Sequence, residues 1–113
     1  MSETPVQIVH RHVEAMSSRD VDGFLADCAE TIRLLNPSGE TLLAGKPAIR
    51  SMYASVFATN PDLKVELMDR ISIGNWIIDE HVTTGFADGS QVHVARVYHV
   101  ADGLIQSIQV FSE

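Results

Sequence analysis

Asp79 and His81, two residues apart, are the pair in this chain best suited to moving a proton. On a strand, residues at i and i+2 share a face, so the carboxylate can hold one ring nitrogen of the imidazole. The other nitrogen is then left to exchange a proton near neutral pH. Arg96 and Tyr98 repeat the spacing further along. A guanidinium can fix a carboxylate or an enolate by paired hydrogen bonds, and a phenol can donate to a developing oxyanion. Together these groups suit proton abstraction next to a carbonyl, a dehydration or a ring closure. A plainer account is equally concrete: Asp79 and Arg96 form a structural ion pair in a half-buried sheet, with His81 hydrogen-bonded beside it and no chemistry.

The elements that must position these groups lie between Arg70 and Glu113, which read as three strands folded back on one another. Asp88-Gly89 and Asp102-Gly103 each divide runs of alternating apolar and polar residues, the pattern of a hairpin whose turn needs positive φ. With two-residue turns, His81 faces Arg96 and Asp79 faces Tyr98 across the first hairpin. Across the second, Arg96 faces Gln109 and Tyr98 faces Ser107. One face of the sheet then carries Asp79, His81, Thr83, Val92, Val94, Arg96, Tyr98, Ser107, Gln109 and Phe111. The other carries Ile78, Glu80, Val82, Phe86, Ala95, Val97, His99, Ile108 and Val110. A one-residue bulge in either hairpin would scramble the two sets.

Ahead of the strands, Thr4-Pro5 opens a helix whose stripe is Val6, Val9, Val13 and Met16, with Ile8 and His12 flanking it. Asp20 caps a short second helix with Phe24, Leu25 and Cys28 on its apolar face. Glu30 to Leu35 and Thr41 to Leu43 read as short strands about the turn Asn36-Pro37-Ser38-Gly39. Lys46-Pro47 starts a third helix carrying Ile49, Met52, Tyr53, Val56 and Phe57, and Asn60-Pro61 stops it. Tyr53 therefore belongs to a core stripe, although its hydroxyl needs a partner and can reach a pocket. Leu63 to Ile73 alternates as a long strand with Val65, Leu67, Ile71 and Ile73 to one side, and Trp76, out of phase with Asp79, faces outward. Segregated helices and strands make an α+β fold, with the helices covering one face of a curved sheet.

The 113 residues suit one domain, 1–113, with an ordinary globular composition of 45% hydrophobic and 20% charged residues. A net charge of −7 without a basic cluster argues against nucleic acid. No apolar run approaches a membrane span, and Met1-Ser2-Glu3 lacks the basic opening of a signal peptide, so a cytoplasmic protein is expected. Cys28, the only cysteine, forms no intrachain disulfide and reads as a small buried residue near a helix end. No metal is expected: His81 and His93 point to opposite faces, and His10 and His12 do not share one.

The order of elements, with Arg19-Asp20-Val21-Asp22, Asn36-Pro37-Ser38-Gly39 followed by Ala44-Gly45-Lys46-Pro47-Ala48-Ile49, and the ending Val97-Tyr98-His99-Val100-Ala101-Asp102-Gly103-Leu104-Ile105, resembles the nuclear transport factor 2-like superfamily. More narrowly it resembles the SnoaL-like and ketosteroid-isomerase-like branch. That resemblance implies a cone, a cystatin-like α+β barrel in which three N-terminal helices close over a curved antiparallel sheet and leave an open-ended pocket. The family's catalytic aspartate falls here at Asn36, its oxyanion-binding tyrosine at His12 and its protonated acid at Arg96, so steroid isomerisation by the family's own route is not expected. The resemblance turns the Asp79–Arg96 face towards the pocket and leaves the convex face, with Glu80, His93, His99 and Gln106, for a homodimer.

Three functions remain open. The first is a small cofactor-independent isomerase, dehydratase or cyclase for an apolar molecule bearing a carbonyl or carboxylate. In it Asp79 and His81 handle the proton, while His12, Asn36, Tyr53, Arg96, Tyr98 and Gln109 bind substrate. The second is a binding protein with the same pocket and no turnover, and the third a dimerisation or interaction module; the fold cannot choose among them.

Overall fold

The computed structural model describes residues 3–113, so the Met1-Ser2 opening lies outside the described residues. Helix α1 (Pro5–Ser17) begins where the Thr-Pro signal puts it: the Thr4 hydroxyl accepts from the Gln7 amide, and the Gln7 side chain accepts from the Thr4 amide. Its buried stripe is Ile8, Val9, His12, Val13 and Met16, so His12 lies inside the apolar face rather than beside it. Asp20 caps α2 (Val21–Ala26) through the Gly23 amide at 3.0 Å. Helix α3 (Lys46–Thr59) buries Ile49, Tyr53 and Phe57, one turn apart, and ends before Pro61. Phe24 joins the three helices, with ring centroids 4.1 Å from His12 and 4.4 Å from Tyr53.

Six strands form one curved, unclosed sheet: β1 (Cys28–Leu35), β2 (Thr41–Ala44), β3 (Lys64–Ile73), β4 (Trp76–Thr84), β5 (Val92–Ala101) and β6 (Leu104–Ser112). Their order is β2-β1-β6-β5-β4-β3, with β1 and β6 parallel and every other pair antiparallel. The helices cover one face, and the core between is built from Val9, Phe24, Ile32, Ile49, Ile77, Tyr98, Ile105 and Ile108, all fully buried. Cys28 is buried too, but it opens β1 instead of closing a helix.

The strand registers depart from the two-residue-turn expectation in three places. Between β4 and β5 the connection runs over residues 85–91, so the ladder ends at Thr83 opposite Val92. Asp79 then faces Arg96, His81 faces Val94, and Ile77 faces Tyr98. The shift is of two positions, so every side chain keeps its expected face. Gly85 is fixed in this connection by a close approach: its φ is +82°, and a Cβ there would meet the Asp62 carbonyl oxygen at 1.9 Å.

The second departure reverses a face. Asp102 and Gly103 turn with φ of 56° and 74°, and Ala101 faces Leu104 as expected. Val100 still faces Ile105, but His99 faces Ser107, which leaves Gln106 as an extra residue whose amide donates to the Ala101 carbonyl. Beyond this bulge Ile108, Val110 and Ser112 pair with Tyr98, Arg96 and Val94, and Gln109 moves to the outer face.

The third departure lies on β3. Leu67 faces His81 and Asp69 faces Glu80, so Met68 is the extra residue of a bulge. The Asp69 carboxylate accepts from the Arg70 amide at 2.8 Å at this irregularity. Val65 and Leu67 therefore share a face with His81 and Thr83, whereas Ile71 and Ile73 turn outward and Arg70 turns inward opposite Asp79.

Candidate functional site

Arg70, Asp79 and His81 form a buried chain of hydrogen bonds. Arg70 clasps Asp79 with Nε to Oδ1 at 2.6 Å and Nη2 to Oδ2 at 2.8 Å, and His81 Nε2 lies 3.0 Å from Oδ2. Asp79 and His81 are wholly shielded from solvent. Burial alone would raise the Asp79 carboxyl, but the hydrogen bonds from Arg70 and His81 outweigh it and hold the group below its ordinary value. An ionised carboxylate only accepts, so His81 donates to it from Nε2, and its buried Nδ1 has no partner among the described residues. At the outer end, Arg70 Nη1 donates to His10 Nδ1 at 3.2 Å, and His10 Nε2 meets Glu14 at 2.7 Å.

The ion pair of this face is therefore Asp79–Arg70, not Asp79–Arg96. Although Arg96 stands directly across the ladder from Asp79, its Nη1 donates to the Tyr53 hydroxyl at 3.1 Å and it contacts no carboxylate. Nε of Arg96 and the Tyr98 hydroxyl are buried without a partner among the described residues. Burial pushes the Tyr98 phenol above its ordinary value, against the pull of Arg96, so it remains a protonated donor.

Arg96 and Tyr53 also line a cavity of about 230 Å³ that is partly open to solvent. Its walls are apolar (Val56, Phe57, Leu63, Phe86, Val92 and Val110), and Thr83 and Ser112 add hydroxyls. His81 lies on the same strand face as Thr83 and opposite the wall residue Val94, but it does not itself border the cavity. His12 and Tyr98 are likewise fully buried behind the wall, 5.6 Å apart between ring centroids and edge to face.

Bulges and turns engage two of the expected ligand-binding residues away from the cavity. Gln109 faces away from Arg96, and its amide donates to the carbonyls of Asn36 at 3.1 Å and Pro37 at 3.2 Å. Asn36 spends its side-chain oxygen inside its own turn, accepting from the Ser38 amide, the Ser38 hydroxyl and the Glu40 amide. His12 is in place but in the opposite chemical sense. Its Nδ1 donates to the Phe24 carbonyl at 2.8 Å, and burial lowers its pKa to about 4, so its free Nε2 accepts and cannot donate to an oxyanion.

Arg70 was missed because strict alternation puts it on the wrong face. The available signal was the Asp69-Arg70 pair interrupting the apolar run of Leu67, Ile71 and Ile73. Cys28 lies 3.9 Å from His12 Nδ1, but burial pushes its thiol up to about 12, far from a thiolate nucleophile. Among the described residues, no three of His, Cys, Asp and Glu converge as a metal ion would need, and no helix is long and apolar enough to cross a membrane.

Comparison with known proteins gives a family and a fold. The SnoaL-like domain family matches residues 9–108. Similar solved structures include an uncharacterised cystatin-fold protein from Novosphingobium aromaticivorans, 21% identical, with a TM-score of 0.88 over 97% of this chain and 99% of that one. A putative SnoaL-like polyketide cyclase from Jannaschia sp. CCS1 is 18% identical, with a TM-score of 0.81 over 96% of this chain and 85% of that one. TerC, crystallised with polyporic acid, is 13% identical, with a TM-score of 0.81 over 96% and 91%. At these identities the likeness is one of fold. No functionally curated protein matches the chain in sequence.

Proposed function

Because this chain belongs to the SnoaL-like domain family, we propose that its cavity takes a small apolar carbonyl compound and that His81 moves a proton next to the carbonyl. One observation carries this reading: His81 Nδ1 is buried without a partner among the described residues, and the opposite nitrogen is held by a clasped aspartate. In the proposed step the wall at Thr83 and Val94 yields to admit the ligand to His81, Nδ1 takes a proton from the carbon beside the carbonyl, and the electron pair passes to the carbonyl oxygen. Arg96 stabilises the resulting enolate, and return of the same proton at another carbon completes an isomerisation. Closure of a ring would use the same enolate as its nucleophile. Asp79 and Arg70 fix the tautomer and orientation of His81, while Tyr53 holds Arg96 at the wall. The name of the SnoaL-like polyketide cyclase supports enolate chemistry as the class to test first.

The test is exchange. Small ketones, enones and β-keto esters are incubated with the protein in deuterated water, and deuterium at the carbon next to the carbonyl is followed by NMR. Catalysed exchange that falls at least a hundredfold in His81→Gln, with the fold intact by circular dichroism, supports the reading. Exchange that persists in His81→Gln removes His81 from the chemistry.

A second reading, binding without turnover, is favoured by the position of His81 behind the cavity wall. It predicts ligand-induced stabilisation without exchange for any compound that binds. In either case we place a homodimer contact on the outer sheet face, where Ile71, Ile73 and Trp76 are 51%, 63% and 49% exposed.

A further inference from the structure

The charges around the cavity do not cancel. Arg70 and Asp79 neutralise each other, and His12 and His81 point ring nitrogens at the Phe24 carbonyl and Asp79. Arg96 remains as a cation whose one protein partner among the described residues is a neutral phenol. Three other cations of this chain sit against carboxylates: Arg11 meets Glu3 and Asp27, Arg50 meets Asp22 and Lys46 meets Glu30. A guanidinium partly withdrawn from water without a counter-charge is unfavourable, so its retention on an otherwise apolar wall needs an explanation.

The surroundings define what would complete it. The Tyr53 hydroxyl accepts from Arg96 Nη1, which frees its own hydrogen to donate into the cavity. Nε of Arg96 has no partner among the described residues, so the guanidinium retains donor capacity beyond the Tyr53 bond. One cation and one hydroxyl match one planar carboxylate, not a dianion, which the chain's overall charge of −7 would also oppose. Val56, Phe57, Leu63, Phe86 and Val92 demand an apolar body behind that group. The volume of about 230 Å³ falls below the roughly 300–1,000 Å³ of pockets that enclose drug-sized ligands, so the body is small.

We infer that the ligand of this cavity is a small monocarboxylic acid with an apolar chain or a single ring, its carboxylate seated on Arg96 and Tyr53. This rests on the cavity's being the ligand site, as proposed above, and narrows the compound class.

The experiment is isothermal titration of the full chain with benzoate, phenylacetate and hexanoate, each against its amide, alongside inorganic phosphate and neutral ketones of the same size. The expected result is that each acid binds at least tenfold tighter than its amide. Arg96→Gln removes that preference, Arg96→Lys keeps part of it, and Tyr53→Phe weakens the acids several-fold. Acids and amides that bind alike, acid affinity unchanged in a folded Arg96→Gln, or phosphate competing as well as benzoate would each overturn the inference. Neutral ketones that bind where acids do not would overturn it and leave the cavity reading standing. If neither kind binds, both fail.

Discussion

Arg70 and Arg96 sit on adjacent sides of Asp79, and their loss should act in opposite directions. Arg70 is the guanidinium that clasps a carboxylate with no solvent access, so Arg70→Met leaves a buried charge held by His81 alone, at a cost of about 3–5 kcal/mol. Arg96 has no counter-charge to abandon, so Arg96→Met should raise Tm by a few degrees while destroying ligand binding. Parallel thermal melts decide it, and equal losses in both variants would mean that Arg96 has a structural partner after all. The two buried titrating groups set a pH signature of their own. His12 has an ordinary pKa of 6.5 and about 4 when folded, so the unfolded chain binds the extra proton between those values. Stability is therefore fully present above pH 6.5 and falls by roughly 3 kcal/mol as the pH drops to 4. Asp79, depressed below 3.8, adds its loss only under that value. Denaturant titrations from pH 7 to pH 4 should flatten in His12→Gln; an unchanged slope there would assign the loss to another group.

At the scale of elements, single extra residues decide what the alternation of the strands does not. Deleting Met68 would restore strict pairing along β3 while leaving Leu67 opposite His81 and Arg70 opposite Asp79. The expected outcome is a chain that still folds and keeps its near-ultraviolet dichroism; loss of that signal would show that the bulge itself is needed for folding. Gly85→Ala should destabilise strongly, because its Cβ meets backbone and not a side chain that can yield. Much of the architecture was legible without coordinates: the starts of all three helices, the Asp102-Gly103 turn, and the shared face of Asp79, His81, Arg96 and Tyr98. That face survived a mistaken turn length because the error was two residues, the period of a strand. Gln109 and Arg70 were misplaced because a bulge is an odd insertion, written in local backbone geometry more than in residue type. Tyr53 illustrates the remaining gap, since its helical spacing marks it as core, and only packing reveals that its hydroxyl also takes the bond from Arg96.

The whole molecule divides its surfaces by chemistry. Helices and cavity occupy the inner face of the sheet, and the outer face of β3 and β4 presents Ile71, Ile73 and Trp76, with Trp76 stacked on His99 at 4.4 Å. Large exposed apolar side chains gathered on one face favour a partner surface. The proposed homodimer should dissociate in Ile73→Glu and Trp76→Glu with little change in secondary structure, as sedimentation velocity would report. A wild-type monomer at high micromolar concentration would remove the proposal. The bulge at Met68 has one more consequence. β3 is an outermost strand of an open sheet, and its unsatisfied amides and carbonyls would otherwise template addition of another chain's strand. The extra residue breaks that row mid-strand, with the charges of Glu66 and Asp69 on either side. The bulge that keeps Arg70 facing its aspartate thus also guards the isoleucine-bearing edge against fibrous polymerisation.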